Sequence, residues 1–106
     1  MRQIRFLDPA GLERVGRLDQ GVISAAGREF SRTEVTVRPP ADPSKIICVG
    51  LNYSDHAAET DSEIPERPLL FAKFPNAVAA PDSTIELPRG KRIDYEGELG
   101  VIIGTQ

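Results

Sequence analysis

The sequence is poor in the residues that build disulfide frameworks and thiolate metal sites. Its 106 residues include a single cysteine, Cys48, and a single histidine, His56. One cysteine excludes an intramolecular disulfide, and it excludes a metal site made of several thiolates from this chain. This usage is typical of a reducing compartment, and no secretory signal is predicted at the N-terminus, so we expect a cytoplasmic protein.

Long hydrophobic runs and an excess of positive charge are also missing. No apolar stretch approaches the roughly 20 residues of a membrane span, so we expect no integral membrane protein. The 13 basic and 16 acidic residues give a net charge of −3, which argues against a nucleic-acid-binding protein. The length allows one small domain, or a small segment followed by part of a larger domain.

Residues 1–44 have the alternating, turn-rich pattern of a small β-rich segment. Turns are expected at Asp8–Pro9 and at Asp19–Gly21, and a short strand is expected at Glu34–Val37. The proline-containing stretch Ala41–Ser44 is typical of a linker. It predicts a boundary between a small N-terminal segment, 1–44, and a second region, 45–106.

Residues 45–106 are more apolar and predict a mainly β fold with short helices, in the α+β class. The continuous run Ile46–Val49 is typical of a strand buried on both faces. The stretch Asn52–Glu59 predicts a short helix with Asn52 or Ser54 as its N-cap. Further strands are expected at Leu69–Phe74, Thr84–Leu87 and, longest of all, Ile93–Ile103.

Glu96 and Glu98 form the first candidate site. In a strand, residues i and i+2 project from the same face, so both carboxylates would point together. A divalent cation between them would relieve their repulsion, and oxygen ligands suit Mg²⁺, Mn²⁺ or Ca²⁺. The alternative is an acidic edge that faces solvent, and the apolar continuation Leu99–Ile103 argues against this alternative.

His56 and Glu59 form the second candidate site. On a helix, residues i and i+3 share a face, so the Glu59 carboxylate would be able to hold the His56 ring in one tautomer. That arrangement serves a general base acting on water. The alternative is a surface histidine in an ordinary helical pair.

Two further residues interrupt or occupy apolar strands. Lys73 lies in the apolar stretch Leu69–Phe74, where its ammonium either receives an anionic substrate in a cleft or simply faces solvent. Cys48 is interpreted as an inert small hydrophobic residue rather than a nucleophile.

Four stretches taken together resemble the fumarylacetoacetate hydrolase family. They are Lys45–Glu59, Pro68–Lys73, Ile85–Pro88 and Asp94–Gly104. The resemblance covers more than half of the chain, and four ordered motifs are more specific than either candidate pair. Residues 1–44 resemble the small, variable N-terminal region that many bacterial members carry.

The resemblance implies part of a rolled, mixed β-sandwich in which Glu96 and Glu98 hold a divalent metal, Mg²⁺ or Mn²⁺. It implies that His56 and Glu59 lie on a mobile lid helix and activate water or move protons. Lys73 matches a lysine position of the family. The implied substrates are small 2-oxo or dioxo carboxylic acids, which undergo C–C bond hydrolysis, decarboxylation or isomerisation.

Family members continue beyond the matched stretches, and their third metal-binding carboxylate and a further lysine come from that part. The resemblance therefore implies the N-terminal portion of an enzyme that forms a homodimer when complete. The alternative is a truncated, non-catalytic module that completes its sheet with a partner chain. A small β metal-binding protein outside the family ranks last, because it leaves the order of the four motifs unexplained.

Overall fold

The computed structural model describes residues 2–104, and these fall into two compact units. The first unit combines the described residues of 1–41 and 80–106, and the second is Asp42–Ala79. Regular structure in the described chain is mainly β, with a single short α-helix. No helix within residues 2–104 has the length and apolar character needed to cross a membrane. The sequence-based division into 1–44 and 45–106 stays a prediction.

An antiparallel five-stranded sheet forms the body of the first unit. Its strands follow the spatial order β4-β3-β2-β1-β5. Their bounds are Arg2–Leu7 (β1), Glu13–Asp19 (β2), Val22–Ala25 (β3), Arg28–Ser31 (β4) and Thr36–Val37 (β5). The strand expected at Glu34–Val37 is therefore shorter than predicted, because a 3₁₀ turn at Arg32–Glu34 takes up its first residue.

Two tight hairpins set the register of this sheet. Asp19 pairs with Val22 across a two-residue loop, and Ala25 pairs with Arg28 across another. Both residues of the first loop, Gln20 and Gly21, have positive φ angles of 45° and 86°. This is the backbone of a type I′ turn, whose twist matches that of the strands it joins. The turn predicted at Asp19–Gly21 is confirmed.

The core of the first unit lies on one face of the sheet. Alternate residues of the strands point to this face, as the period of two requires. The buried members are Ile4, Phe6, Ile23, Ala25 and Phe30. Phe6 and Phe30 contact each other edge to face, with ring centroids 5.4 Å apart, the geometry that the aromatic quadrupole favours.

The second unit contains an antiparallel pair of strands joined through a short helix. Strand β6 spans Ile46–Gly50, helix α1 spans Ser54–Glu59 and strand β7 spans Leu69–Lys73. Cys48 of β6 pairs with Phe71 of β7. Both strands and the helix were expected from the sequence, and the structure places them within one or two residues of the predicted bounds.

The expectation that β6 is buried on both faces is wrong. Ile47 is 61% exposed, and every residue of β7 is exposed. A strand is covered on both faces only when its sheet lies between two layers. In the described part of the chain, β6 and β7 form a two-stranded sheet with no third strand.

Two predicted strands are absent from residues 2–104. The stretches Thr84–Leu87 and Ile93–Ile103 have no helical or strand structure. A strand requires a neighbour to take up its backbone N–H and C=O groups. An apolar, β-branched sequence is therefore insufficient without a pairing partner. The fold is mainly β and antiparallel, while the mixed β-sandwich stays a prediction.

Candidate active site

A tight turn between β6 and α1 positions the only histidine of the sequence. Strand β6 ends at Gly50, and the next residue, Leu51, has a φ angle of 48°. A leucine in this left-handed region costs about 1–2 kcal/mol. The chain is extended again at Tyr53, and α1 begins at Ser54. The turn thus places the helix directly after the end of an apolar strand.

The expected N-cap of this helix is wrong. Tyr53 occupies the N-cap position, with extended backbone angles and no capping bond from its side chain. Ser54 is already the first helical residue, and Asn52 lies one residue too early. Capping requires a polar side chain on the residue that immediately precedes the helix, so a shift of one residue removes both candidates.

His56 and Glu59 lie one helical turn apart on α1, His56 half-buried and Glu59 exposed. Ala57 between them is 1% exposed and anchors the helix. The Thr60 hydroxyl donates a hydrogen bond of 2.9 Å to the His56 carbonyl oxygen, and the Thr60 N–H donates one of 3.2 Å. The i, i+3 spacing brings the two candidate side chains to one side of the helix.

Lys73 ends strand β7, opposite Ile46 of β6. Its Nζ atom lies 5.9 Å from the centroid of the Phe71 ring, within the range of a cation–π contact. Phe71 and Lys73 are two residues apart, so they share one face of the strand. Lys73 is exposed, which agrees with the solvent-facing alternative. Its role towards a substrate stays a prediction.

Glu96 and Glu98 are exposed residues of a stretch without regular secondary structure. They belong to the first unit, whereas His56, Glu59 and Lys73 belong to the second. The argument that both carboxylates share a face required a strand, and no strand forms here. At Gly97, nothing lies within 4 Å of the position that a Cβ atom would take.

The carboxylates of Glu96 and Glu98 are the right kind of ligand for a hard divalent cation, but two of them are too few to complete its coordination. Carboxylate oxygens suit Mg²⁺ and Mn²⁺. However, residues 2–104 contain no group of three or more His, Cys, Asp or Glu side chains able to hold a metal ion. Two carboxylates leave most of the six positions of an octahedral cation unfilled. These residues thus offer part of a metal site.

Two local features were not predicted from the sequence. One is the left-handed Leu51 before the helix, for which a non-glycine residue gives no signal. The other is the contact between Lys73 and Phe71, which the i, i+2 spacing would have indicated. Both features lie in or next to elements that the sequence did predict: Leu51 lies between β6 and α1, and the contact between Lys73 and Phe71 lies within β7.

Comparison with known proteins identifies the family. The model described as "Fumarylacetoacetate (FAA) hydrolase C-terminal" matches residues 45–106, which is more than half of the chain. The chain belongs to the fumarylacetoacetate hydrolase family. Both His56–Glu59 and Glu96–Glu98 fall inside the matched region.

Several relatives share this family region. An uncharacterized protein of Archaeoglobus fulgidus is 48% identical over 87 residues, which cover 81% of this chain and 35% of that protein. A fumarylacetoacetate hydrolase domain-containing protein 2 homolog of Dictyostelium discoideum is 48% identical over 71 residues, or 66% and 23% of the two chains. The mitochondrial oxaloacetate tautomerase of Rattus norvegicus is 44% identical over 77 residues, or 71% and 25%.

A solved structure shares the fold. The structure of an uncharacterized protein from Mycobacterium abscessus aligns with a TM-score of 0.65 at 27% identity, covering 85% of this chain and 40% of that one. The chain spans about a quarter to a third of the length of these curated relatives. The sequence comparisons thus show the family, and the structural comparison supports the fold of this part of the molecule.

Proposed function

We propose that this chain is part of a metal-dependent enzyme that acts on small 2-oxo carboxylic acids. The observation that carries the proposal is the family match over residues 45–106. Members of this superfamily generally use a divalent metal. In this proposal Glu96 and Glu98 supply part of the metal coordination. When bound, such a metal supplies a Lewis acid for a carbonyl oxygen.

His56 is the proton-transfer group in this proposal. It is the only imidazole of the sequence, it is half-buried, and it lies on helix α1 of the second unit, next to the buried Ala57. Glu59, one turn away, orients the ring and fixes which nitrogen carries the proton. Lys73 receives a carboxylate of the substrate as a point charge.

Two reactions suit this set of groups. In C–C bond hydrolysis, His56 takes a proton from water, and the resulting hydroxide attacks the distal carbonyl of a dioxo acid. The adjacent C–C bond then breaks, so that a carboxylic acid and the enolate of the 2-oxo acid form, and the proton held by His56 passes to the enolate carbon. In tautomerisation, His56 moves a proton between the carbon next to the 2-oxo group and the enol oxygen, and no water is consumed. The relatives named oxaloacetate tautomerase, at 40–44% identity, favour the second reaction.

The test begins with the protein purified from its native source. Its intact mass shows whether the polypeptide exceeds the 11.6 kDa of this sequence. The same preparation is assayed with Mg²⁺ or Mn²⁺ on the enol form of oxaloacetate and on an acylpyruvate. Faster ketonisation of the enol with no cleavage of the acylpyruvate supports tautomerisation, and cleavage supports hydrolysis. No effect on either substrate contradicts the proposal.

Variants of the same polypeptide separate the roles. His56→Ala is expected to lower turnover by about 100-fold or more, the usual contribution of a general base, and to leave metal affinity unchanged. Glu96→Gln and Glu98→Gln are expected to weaken Mn²⁺ binding, measured by calorimetry. Glu29→Gln, an exposed glutamate of β4, is the matched control. Full turnover in His56→Ala would rule out its proton-transfer role.

A mass near 11.6 kDa together with no activity supports the alternative function. The chain would then be a non-catalytic module that completes its two-stranded sheet with a partner chain. The exposed β7 strand favours this alternative, because an open apolar strand pairs readily with another strand.

A further inference from the structure

A groove of about 460 Å³ lies in the first unit beside the N-terminal half of β1. Its floor is apolar and is formed by Ile4, Leu18 and Val37. All three side chains contact or belong to the core of the unit. The volume is that of a small-molecule site, since such sites usually measure roughly 300–1,000 Å³. We call this feature the arginine groove, because four arginines also line it.

Two of the four arginines are neutralised by neighbours. Arg5 donates to the Glu13 carboxylate and, at 3.3 Å, to the Pro39 carbonyl oxygen. Arg32 pairs with Asp82 at 2.8 Å. These contacts compensate the charges of Arg5 and Arg32.

The other two arginines, Arg2 and Arg38, are exposed. Neither has a carboxylate at ion-pair distance among the residues that the structure describes. The arginine groove therefore carries about two uncompensated positive charges on a chain whose net charge is −3. The local charge is opposite in sign to that of the molecule as a whole.

The backbone adds a hydrogen-bond donor to the arginine groove. Strand β5 pairs with β1 only at Phe6 and Leu7, and beyond them the Arg38 N–H donates to the Arg5 carbonyl oxygen at 2.8 Å. Peptide groups two residues apart in a strand face the same edge. Gln3 thus turns its N–H to this edge, where no strand lies within the described chain.

We propose that the arginine groove binds a small organic dianion, either a dicarboxylate or a phosphate monoester. Arginine forks bind both groups with paired hydrogen bonds. Two uncompensated guanidinium groups and one backbone N–H match two negative charges, and the apolar floor matches a short carbon chain. The site is independent of the proposed active site, since it uses none of its residues.

The experiment titrates isotope-labelled full chain, observed by its backbone amide resonances, with three probes. Succinate represents the dicarboxylates, methyl phosphate represents the monoesters, and inorganic phosphate tests the contribution of the apolar floor. Saturable shifts at Gln3 and Val37 with either organic dianion at millimolar concentration support the proposal. Whichever of succinate and methyl phosphate binds more tightly shows whether the groove prefers a dicarboxylate or a phosphate monoester. Equal or tighter binding of inorganic phosphate overturns the organic part of the proposal.

Variants test whether the uncompensated arginines carry the binding. Arg38→Gln and Arg2→Gln are each expected to weaken binding about tenfold, the usual loss for one charge-assisted hydrogen bond. Arg28→Gln removes the same charge from an exposed position of β4, three strands away from β1 in the sheet, and is expected to leave affinity unchanged. Absence of saturable shifts, or equal weakening in all three variants, overturns the proposal.

Discussion

Asp8 shows how one buried carboxylate organises a turn. Its side chain is 3% exposed and accepts hydrogen bonds from the N–H groups of Ala10 and Leu12, at 2.9 and 3.0 Å. Arg14 Nε completes the set at 2.7 Å. Buried polar groups are satisfied in this way in native proteins. The turn predicted at Asp8–Pro9 therefore depends on one side chain that reaches the next strand.

These contacts make the stability of the protein sensitive to acid. The N–H of Leu12 and the Arg14 guanidinium hold the pKa of Asp8 below its ordinary value of 3.8. A group whose pKa is lower in the folded state stabilises the fold above its unfolded pKa. That contribution is lost as the pH falls through the folded pKa.

We expect Asp8→Asn to lower the melting temperature by a few degrees at pH 7, because Arg14 loses its charged partner. The difference from the unchanged protein should shrink as the pH falls from 3.8 towards the lower pKa of folded Asp8, because protonation then removes the charge that Arg14 pairs with. Thermal unfolding followed by circular dichroism between neutral and acidic pH measures both effects. Asp19→Asn, at an exposed carboxylate, serves as the control, and an equal loss in both variants would contradict the prediction.

At the scale of elements, Gly16 is where strand β2 meets the core most closely. A Cβ atom at Gly16 would lie 2.9 Å from the Ser24 carbonyl oxygen and 3.1 Å from Phe6 Cε1. The first distance is shorter than real Cβ contacts, and the neighbour is backbone, which moves with difficulty. A hydrogen at this position lets β2 approach β3 and the Phe6 ring.

We expect Gly16→Ala to destabilise the chain by about 1–3 kcal/mol through overpacking. Gly97→Ala is a matched control, because an added methyl there meets nothing within 4 Å; its effect should stay within about 0.5 kcal/mol. Urea unfolding measures both changes. If the two substitutions lower the free energy of unfolding equally, close packing does not explain why a glycine is needed at position 16.

Local sequence patterns identified several of these elements and missed others for a definite reason. The hairpin through Gln20 and Gly21 and the helix α1 depend on neighbouring residues, and both were predicted. The long strand at Ile93–Ile103 was not found, because a strand is a property of a pair. Its partner is absent from the described residues, and the shared face of Glu96 and Glu98 is lost with it.

At the scale of the whole molecule, both units leave large apolar side chains exposed. Exposed large hydrophobic side chains concentrate in β7 and in the stretch beyond residue 84; they include Leu69, Leu70, Phe71, Phe74, Ile85, Leu99, Val101 and Ile103. Soluble monomers rarely expose apolar patches larger than a few hundred Å².

We expect the 106-residue polypeptide, produced alone, to associate as its concentration rises, because β7 and its neighbours gain from covering apolar surface. Sedimentation velocity over a range of concentrations measures this. Replacing exposed Leu70 by Lys should reduce association, and the same replacement at Val15, an exposed residue of β2 in the first unit, should reduce it less. A chain that stays monomeric at high concentration would contradict both this prediction and the partner-module alternative.

Sequence alone determined the features that depend on residues close together along the chain. This group includes the loop at Gln20 and Gly21 and the alternation that buries Phe6 and Ile23. It also includes the i, i+3 spacing of His56 and Glu59 and the ordered family motifs. Their physics is local: backbone angles, side-chain direction and spacing.

Tertiary structure decided what depends on residues far apart. It determined which apolar stretches become strands, that Gly16 packs against Ser24 and Phe6, and that Arg2 and Arg38 line one groove although 36 positions separate their numbers. Pairing and packing are interactions between distant segments. No local pattern specifies them, because the sequence of one segment does not determine which distant segment lies beside it.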